Sequence, residues 1–216
     1  MTTTVETRNR ARRIERVLKR IYPEARCSLD FANPFQLLVA TILSAQCTDA
    51  RVNLVTPALF SRYPDAASLA TAEQAEVEQL VRSTGFYQNK AKNLIRCASQ
   101  LVETHAGEVP RDMEKLVQLA GVGRKTANVI RGVAFGIPGL PVDTHVTRLS
   151  RRMGLTTHHD AVRIESDLNV LIPQSKWTTF GLRMIFHGRQ VCDARKPDCH
   201  ACPLLPKLCP RIGVSH

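Results

Sequence analysis

The sequence predicts an all-α protein with roughly ten helices of ordinary length. Apolar residues recur at the three-four spacing of one helix face along nearly the whole chain, and residues that favour helix N-caps precede several of these segments. No stretch of useful length alternates between apolar and polar residues, as a half-buried strand would.

The first predicted helix has one apolar face and is otherwise basic. Its apolar face consists of Ile14, Val17, Leu18 and Ile21. The residues up to about Thr7 are expected to be disordered. Asn33-Pro34 then combines a cap with a proline at the first helical position, which predicts an apolar helix through Leu43 and Ser44.

Capping residues also indicate helices in the middle of the chain. Thr71 and Gln74 have the spacing of a capping box for a short helix. A longer helix is predicted to end near Gly107, and Asp112 is predicted to begin a short one. The chain is then interrupted by Gly121-Val122-Gly123.

The remaining helices are predicted to lead into an irregular tail. One runs from about Arg124 to Phe135, Asp143 and Asp160 are expected to cap two more, and a last helix covers Trp177 to His187. The proline-bearing segment that follows contains a cluster of cysteines.

Composition excludes several classes of protein. The chain has 216 residues and a formal net charge of +11, with no repeats and no low-complexity tract. One large domain or two small ones are expected, rather than disorder, a coiled coil or a repeat array. No apolar run approaches the roughly 20 residues of a membrane span, and the basic N-terminus lacks the apolar region of a secretory signal. The sequence therefore predicts a soluble, intracellular protein with no membrane partner.

Four of the seven cysteines lie in the last 25 residues, with the spacing Cys192-x6-Cys199-x2-Cys202-x6-Cys209. An odd number of cysteines in a reducing compartment does not indicate a disulfide framework. Four thiolates so close in sequence can hold a metal centre. Zinc sites usually use two close pairs, and only Cys199 and Cys202 form one, so the spacing leaves zinc and a [4Fe–4S] cluster equally open.

Two glycines in Gly121-Val122-Gly123 separate two predicted apolar helices. Glycine permits positive φ and a close backbone approach, and the second helix then offers unpaired N–H groups to a phosphate, with Arg124 adding charge. A tight helix–helix turn without a ligand explains the glycines equally well.

Lys125 follows this turn in the first helical turn. There the helix dipole, together with any burial, disfavours an ammonium and would make the free amine available as a nucleophile. The alternative is an ordinary surface lysine. Asp143 has a similar pair of interpretations, as a helix cap or as a carboxylate that moves protons for the Lys125 amine.

These motifs together resemble the helix-hairpin-helix DNA glycosylase superfamily, and within it the endonuclease III family. The hairpin segment is Leu119 to Ala127, and the Gly/Pro-rich loop with its acid is Gly136 to Asp143. Leu43 to Asp49 matches the family segment that faces the damaged duplex, and Gly85 to Ala91 matches its intercalating loop. The resemblance covers about residues 15 to 210.

The resemblance implies a fold, a reaction and a partner. The fold has two helical domains with the active site in the cleft between them: a six-helix domain over 27–137 that contains the hairpin, and a second domain of 1–26 with 138–216 that contains an iron-sulfur cluster loop. The reaction is base excision repair of oxidised or ring-saturated pyrimidines in duplex DNA, coupled to cleavage at abasic sites. The enzyme is expected to be a monomer in the cytoplasm, associated with the nucleoid.

The resemblance also implies residue roles. Lys125 attacks C1′ and forms a Schiff base that allows β-elimination, and Asp143 assists base loss. Gln46 fills the hole left by the flipped nucleotide, and Phe86 wedges beside the orphaned base. The DNA backbone is bound by the hairpin and by the basic loop between the first two cysteines, through Gly121, Val122, Gly123, Arg124, Arg195 and Lys196.

For the cysteines, the resemblance favours [4Fe–4S] ligation by Cys192, Cys199, Cys202 and Cys209. The final gap has six residues where the family usually has five. Two further departures are Ala120, in place of a frequent proline, which is expected to loosen the hairpin entrance, and Phe86, in place of a frequent leucine. His200 is expected at the surface or beside the cluster, and His187 and Trp177 in the core.

The excess of basic residues is expected to track a duplex backbone, with binding that weakens steeply in salt. The residues concerned extend over Arg8 to Arg20, Arg124, Lys125, Arg131, Arg148, Arg151, Arg152 and Arg195. Aromatic residues make up only 5% of the chain, which argues against a single-strand binder that stacks successive bases. Two alternatives stay open: a non-catalytic DNA-binding module with structural zinc, and a related glycosylase with another lesion preference.

Overall fold

The computed structural model describes residues 5–214 and is helical throughout, with no strand among those residues. The chain divides into two compact units. The terminal unit comprises Met1–Arg26 and Pro138–His216, and the central unit comprises Cys27–Ile137. Within residues 5–214 no helix is both long enough and apolar enough to cross a membrane.

The central unit contains seven α-helices. They are α2 (Pro34–Leu43), α3 (Asp49–Arg62), α4 (Ala66–Ala70), α5 (Gln74–Val81), α6 (Tyr87–His105), α7 (Met113–Gln118) and α8 (Arg124–Val129). A 3-10 turn over Arg82–Thr84 precedes α6, and a π-helical segment over Ile130–Ala134 continues α8. The predicted helix from Arg124 to Phe135 is therefore present, although its second half has the wider winding.

The core of the central unit forms around α2. Asn33 caps α2 by accepting a hydrogen bond from the Gln36 N–H, and Pro34 is its first residue, as predicted. Eight of its ten residues are buried, which is the pattern of a helix surrounded by others. Leu94 and Leu101 of α6 and Leu116 of α7 belong to the same core.

The predicted capping box at Thr71 is wrong. Thr71 ends α4, and α5 begins at Gln74 after Glu73, which makes no side-chain cap hydrogen bond. The capping box lies one helix earlier, where the Asp65 side chain accepts from the Ser68 N–H and the Ser68 hydroxyl faces the Asp65 N–H.

The terminal unit joins both ends of the chain. It contains α1 (Val5–Ile21), α9 (Thr144–Arg152), α10 (Ala161–Leu171) and α11 (Trp177–Gln190), followed by the irregular cysteine tail. Val5 to Thr7 form the first turn of α1, so the expected disorder is wrong for them, while residues 1–4 lie outside the described range.

The core of the terminal unit is apolar, with a buried carboxylate at Glu15 between α1 and α11. The apolar face of α1 packs through Ile14 and Leu18, while Phe180 comes from α11. Glu15 is also buried, and its carboxylate pairs with Lys176 Nζ at 2.7 Å and with Arg183 at 3.7 Å. Because a buried carboxylate costs free energy unless it is paired, these cations fix how α1 and α11 pack.

Candidate active site

The glycine turn of the central unit joins α7 to α8 as a helix-hairpin-helix. Gly121 has φ +77°, and a Cβ at this position would lie 3.2 Å from Asn93 Cβ and 3.2 Å from Ile42 Cγ2. A side chain is therefore excluded both by backbone conformation and by the close approach of α6 and α2. The Val122 N–H donates to Leu119 O at 3.1 Å and closes the turn, and the Val122 side chain is buried.

The entrance of the hairpin is held by a glutamine from α6. The Ala120 N–H donates to Gln100 Oε1 at 2.7 Å, and Gln100 Nε2 donates to Gln118 O at 3.2 Å. Proline at position 120 has no N–H and could not make the first bond. The expectation that Ala120 loosens the hairpin is therefore wrong.

The exit of the hairpin faces solvent. Gly123 is the N-cap of α8 with an extended backbone, and nothing lies within 4 Å of the position of an added Cβ. Arg124 and Lys125 are the first two residues of α8, and both are exposed. The burial considered for Lys125 is absent, so any exclusion of water from its ammonium requires a bound molecule.

Gln46 lies in the segment between α2 and α3. Its backbone has φ +53°, a left-handed conformation that is uncommon outside glycine, asparagine and aspartate, and the residue is exposed. The Cys47 N–H donates to Ser44 O at 3.1 Å and closes this turn, with Gln46 at its tip.

Phe86 lies at the tip of the loop that leads into α6. It is the N-cap of that helix with φ +49°, it follows Gly85 at φ +72°, and its side chain is 64% exposed. A bulky side chain in the left-handed region costs on the order of 1–3 kcal/mol, and such strain concentrates at functional sites. An exposed phenylalanine on a strained loop tip is suited to inserting into a partner.

Helices α2 and α6 connect these three segments. Gln46 lies just beyond the end of α2, Phe86 lies at the start of α6, and the hairpin packs through Gly121 against Ile42 of α2 and Asn93 of α6. The central unit thus fixes the hairpin, Gln46 and Phe86 on a common pair of helices.

Asp143 caps α9 in the terminal unit, as predicted from its position. Its Oδ1 accepts a hydrogen bond from the Val146 N–H at 2.9 Å, and the residue is half-buried. It lines an open depression whose other residues include Thr144, Thr147, Arg151 and His159. The cap uses one carboxylate oxygen, and the depression is polar and basic around it.

One cavity is lined by all four cysteines of the tail, which are Cys192, Cys199, Cys202 and Cys209. The cavity has a volume of about 20 Å³, roughly the space that one water needs. Burial raises the pKa of the Cys202 and Cys209 thiols, and the other cysteines raise it further. Within the described residues, no three His, Cys, Asp or Glu side chains group around the position of a single metal ion.

Arg152 of α9 holds the start of the cysteine loop. Its Nη1 donates to Cys192 Sγ at 3.2 Å and to Asp193 O at 2.6 Å, and its Nη2 donates to Ala194 O at 2.7 Å. The residue is only 9% exposed. Four cysteine sulfurs on one cavity are a donor set that suits a metal centre.

Arg148, one turn earlier, is also used internally. Its Nη2 donates to Cys192 O at 2.9 Å and to Gly188 O at 3.0 Å, and lies 3.0 Å from His145 Nδ1. The expectation that Arg148 and Arg152 track a DNA backbone is therefore wrong, since their donors bond the loop of the protein itself.

His187 is in the core, as predicted, but it also reaches the cysteines. It is fully buried, its Nδ1 lies 3.1 Å from the Tyr22 hydroxyl, and its Nε2 lies 3.6 Å from Cys202 Sγ. Burial lowers its pKa to about 4, so the ring is neutral at pH 7. With a proton on Nε2, it accepts from Tyr22 and donates towards Cys202.

The segment between the first two cysteines presents its basic side chains to solvent. Asp193 Oδ1 accepts from the Arg195 N–H at 2.9 Å and from the Lys196 N–H at 3.2 Å, and these bonds lower the pKa of Asp193. Arg195, Lys196 and His200 are exposed. The side chains of Arg195 and Lys196 are therefore available to a polyanion.

Sequence reasoning missed the residues that act across long stretches of chain. Gln100 bonds the hairpin from 20 positions away, and Arg152 bonds Cys192 from 40 positions away. No local spacing predicts such pairs, because packing brings them together. The only signal in the sequence is that each of them is a polar residue on a predicted helix.

The chain matches one protein family over most of its length. The family model of the HhH-GPD superfamily base excision DNA repair proteins matches residues 39–174. The chain is 58% identical over 209 residues to endonuclease III of Synechocystis sp., covering 96% of this chain and 95% of that protein. It is 47% identical to endonuclease III of Bacillus subtilis, covering 88% of this chain and 86% of that protein.

A solved structure has the same fold. The structure of a non-covalent endonuclease III–DNA complex superposes with a TM-score of 0.90 at 44% identity, covering 94% of this chain and 95% of the other. That protein is bound to DNA, and the likeness extends over both units described above.

Proposed function

Because the chain belongs to the HhH-GPD superfamily of base excision DNA repair proteins, and within it to the endonuclease III family, we propose that it excises oxidised or ring-saturated pyrimidines from duplex DNA. Membership of this family makes the chain a DNA-binding DNA glycosylase and abasic-site lyase. The observation that carries the choice of active site is the hairpin, which presents Lys125 to solvent on the first turn of α8.

Lys125 is the nucleophile of the proposed reaction. The lone pair of its amine attacks C1′, the glycosidic bond breaks, and its electron pair leaves with the base, which takes up a proton. Loss of the amine proton and opening of the C1′–O4′ bond give a Schiff base, with a proton taken up at O4′. Loss of a C2′ proton then expels the 3′ phosphate with the C3′–O electrons, and water releases the lysine.

Asp143 is the carboxylate that assists these proton movements. Attack requires the neutral amine, and a carboxylate can accept the proton of the ammonium and stabilise positive charge that develops at C1′. Its capping bond to the Val146 N–H occupies one oxygen and orients the group. The second oxygen is the one assigned to the reaction.

Gln46 and Phe86 are assigned to extrusion of the damaged nucleotide. The sugar carbon of a stacked duplex is inaccessible, so the nucleotide has to leave the stack at a cost of a few kcal/mol. Both residues are exposed at strained loop tips, which suits Gln46 to filling the vacated space and Phe86 to wedging beside the partner base.

The phosphate backbone is assigned to the hairpin and the cysteine loop. The backbone of Gly121 to Gly123 and the charge of Arg124 face one phosphate, while Arg195 and Lys196 attract others. We propose that the enzyme acts as a monomer on duplex DNA in the cytoplasm, at the nucleoid.

The tail is assigned a [4Fe–4S] cluster held by Cys192, Cys199, Cys202 and Cys209. The four thiols line one cavity, and Arg152 donates to one of them. The cluster would supply structure to the basic loop rather than a reacting group. The extra residue in the last gap is accommodated with all four cysteines on that cavity.

Borohydride trapping tests the proposed nucleophile. On duplex carrying one ring-saturated thymine, the wild type is expected to be captured covalently when the Schiff base is reduced, and Lys125→Ala is expected to give no captured complex. The control is Lys115→Ala, which removes an exposed lysine from the other hairpin helix and is expected to trap normally. Equal trapping of wild type and Lys125→Ala would refute the assignment.

Metal content tests the cluster against zinc. The protein purified without oxygen is expected to be coloured and to hold about four iron and four sulfide per chain, as four cysteine ligands of such a cluster require. Removal of the iron is expected to weaken DNA binding because the basic loop loses its scaffold. Colourless protein with one zinc per chain would support the alternative of a non-catalytic DNA-binding module.

A further inference from the structure

Lys90 is a buried lysine that the assigned reaction does not use. It lies on α6, four residues after Phe86, and it is only 5% exposed. Burying an ammonium is costly unless it is paired or hydrogen-bonded. Burial lowers the pKa of Lys90, and the nearby Cys47 partly opposes this shift. The position therefore needs an explanation beyond charge on a surface.

Its hydrogen bonds enclose the loop tip that carries Phe86. The Lys90 Nζ donates to Thr84 O at 2.8 Å, and the Lys90 N–H donates to Phe86 O at 3.0 Å. The two carbonyls that receive these bonds lie at either end of the Thr84-Gly85-Phe86 segment. The Lys90 side chain thus ties the start of the strained segment to α6, and the first backbone bond of the helix holds its other end.

Besides the bonds from Lys90, the segment is held by the Gly85 N–H, which donates to Arg82 O at 3.4 Å. A Cβ at Gly85 would meet no atom within 4 Å, and Phe86 projects into solvent. A bulky residue keeps a left-handed backbone only when its surroundings impose it. The bond from Lys90 Nζ to Thr84 O contributes to imposing it here, together with the Thr84 hydroxyl, which donates to Val81 O at 2.8 Å.

Lys90 also borders the second DNA-facing segment. The influence of Cys47 on its pKa places the ammonium beside the residue that follows Gln46. The Cys47 N–H in turn closes the Gln46 turn through Ser44 O. The charge of Lys90 thus acts on the Gln46 turn as well as on the Phe86 tip.

We propose that Lys90 is a positioning residue for base extrusion, which holds Phe86 in the conformation that enters the duplex. The proposal rests on the wedge role assigned to Phe86 above. When the inserting group is already held in its bound conformation, binding costs less conformational entropy than it would for a mobile loop.

Single-turnover excision with a fluorescent base next to the lesion tests this role. With 2-aminopurine beside the orphaned base, the wild type is expected to give a rise in fluorescence as Phe86 enters the stack. Lys90→Met keeps the length of the side chain without its donor. It is expected to reduce that rise and to slow excision by on the order of ten- to hundredfold, as misplacement of a positioning group does. Lys92→Met removes an exposed charge from the same helix and is expected to match the wild type.

A second duplex separates positioning from a general loss of structure. When the lesion lies opposite an abasic position, no partner base remains for the wedge, so Lys90→Met is expected to approach the wild-type rate. Phe86→Ala is expected to behave in the same way. The double variant with Lys90→Met is expected to excise the lesion only slightly more slowly than Phe86→Ala alone. Equal slowing of Lys90→Met on both duplexes, or full additivity with Phe86→Ala, would overturn the proposal.

Two further outcomes are distinguishable. If circular dichroism shows that Lys90→Met does not fold, Lys90→Gln, which retains a donor, is measured on the same duplexes. Its excision rate is expected to lie between those of the wild type and Phe86→Ala. Equal slowing of Lys90→Gln on the paired duplex and on the duplex with the abasic partner would overturn the inference. If the wild type excises neither lesion, the proposed function fails rather than the role of Lys90.

Discussion

At the scale of the residue, the two glycines of the hairpin have different duties. Gly121 satisfies a folding requirement, because its φ is positive and two side chains lie where a Cβ would point. Gly123 has an ordinary extended backbone and open space around it. The first glycine therefore serves the fold, and the second leaves room for a ligand at the hairpin.

Substitution of each glycine by alanine separates these two roles. Gly121→Ala is expected to lower the free energy of unfolding by about 1–2 kcal/mol, the cost of a left-handed backbone in an L-residue, with more added by the 3.2 Å contacts. Gly123→Ala is expected to change it by less than about 0.5 kcal/mol while weakening DNA binding. Urea midpoints at constant m and duplex affinities measure the two effects. Equal loss of stability in both variants would contradict the division.

At the scale of the element, α6 connects the parts of the DNA-facing surface. It begins at the Phe86 wedge, packs Asn93 against Gly121, and bonds the hairpin entrance through Gln100. Displacement of this one helix would move the wedge and the hairpin together. In the proposed function, the geometry of extrusion and of phosphate binding would therefore be set by a single element of 19 residues.

Gln100→Leu tests this connection. It removes both hydrogen bonds to the hairpin and leaves the Ala120 N–H without that acceptor, which is expected to cost about 1–3 kcal/mol of stability and to weaken duplex binding. Ser99→Ala removes only an intrahelical bond to Ile95 O and is expected to have little effect on either quantity. Thermal unfolding and affinity for undamaged duplex provide the measurements. Unchanged affinity in Gln100→Leu would mean that the hairpin is held by other contacts.

The helices that the sequence predicts are those with a local signal. Asn33, Asp112, Asp143 and Asp160 each cap a helix by accepting a backbone N–H, as their positions predict. Helix α3 was not predicted, since Pro57 interrupts its interior and only three of its residues are buried. The left-handed backbones of Gln46 and Phe86 have no sequence signal either, because surrounding packing imposes them.

At the scale of the whole molecule, the net charge of +11 divides into internal and external parts. Arg148 and Arg152 bond the cysteine loop, and Lys176 and Arg183 pair with buried Glu15. Those charges hold the protein together rather than attract a ligand. The exposed remainder, including Arg124 and Arg195, is the part that the proposed function assigns to attracting DNA.

Salt dependence distinguishes the two parts. The logarithm of duplex affinity is expected to fall linearly with the logarithm of salt concentration, and Arg195→Gln is expected to reduce the slope by about 1 because one phosphate contact is lost. Arg62→Gln is the control, since Arg62 is paired with Glu76 at 2.6 Å. Fluorescence anisotropy over a salt series measures both. An unchanged slope in Arg195→Gln would remove the cysteine loop from the DNA-binding surface.

The terminal unit is built from both ends of the chain, and this has a consequence for biosynthesis. All of the central unit has been translated once Ile137 has been added, whereas α1, made first, packs with Phe180 of α11, made near the end. A nascent chain folds from its N-terminal side as it emerges. The apolar face of α1 therefore remains exposed to solvent through most of translation, and the cysteines emerge last. For the proposed cluster, iron delivery would accordingly be a late maturation step, and nascent-chain chaperones are expected to cover α1 until then.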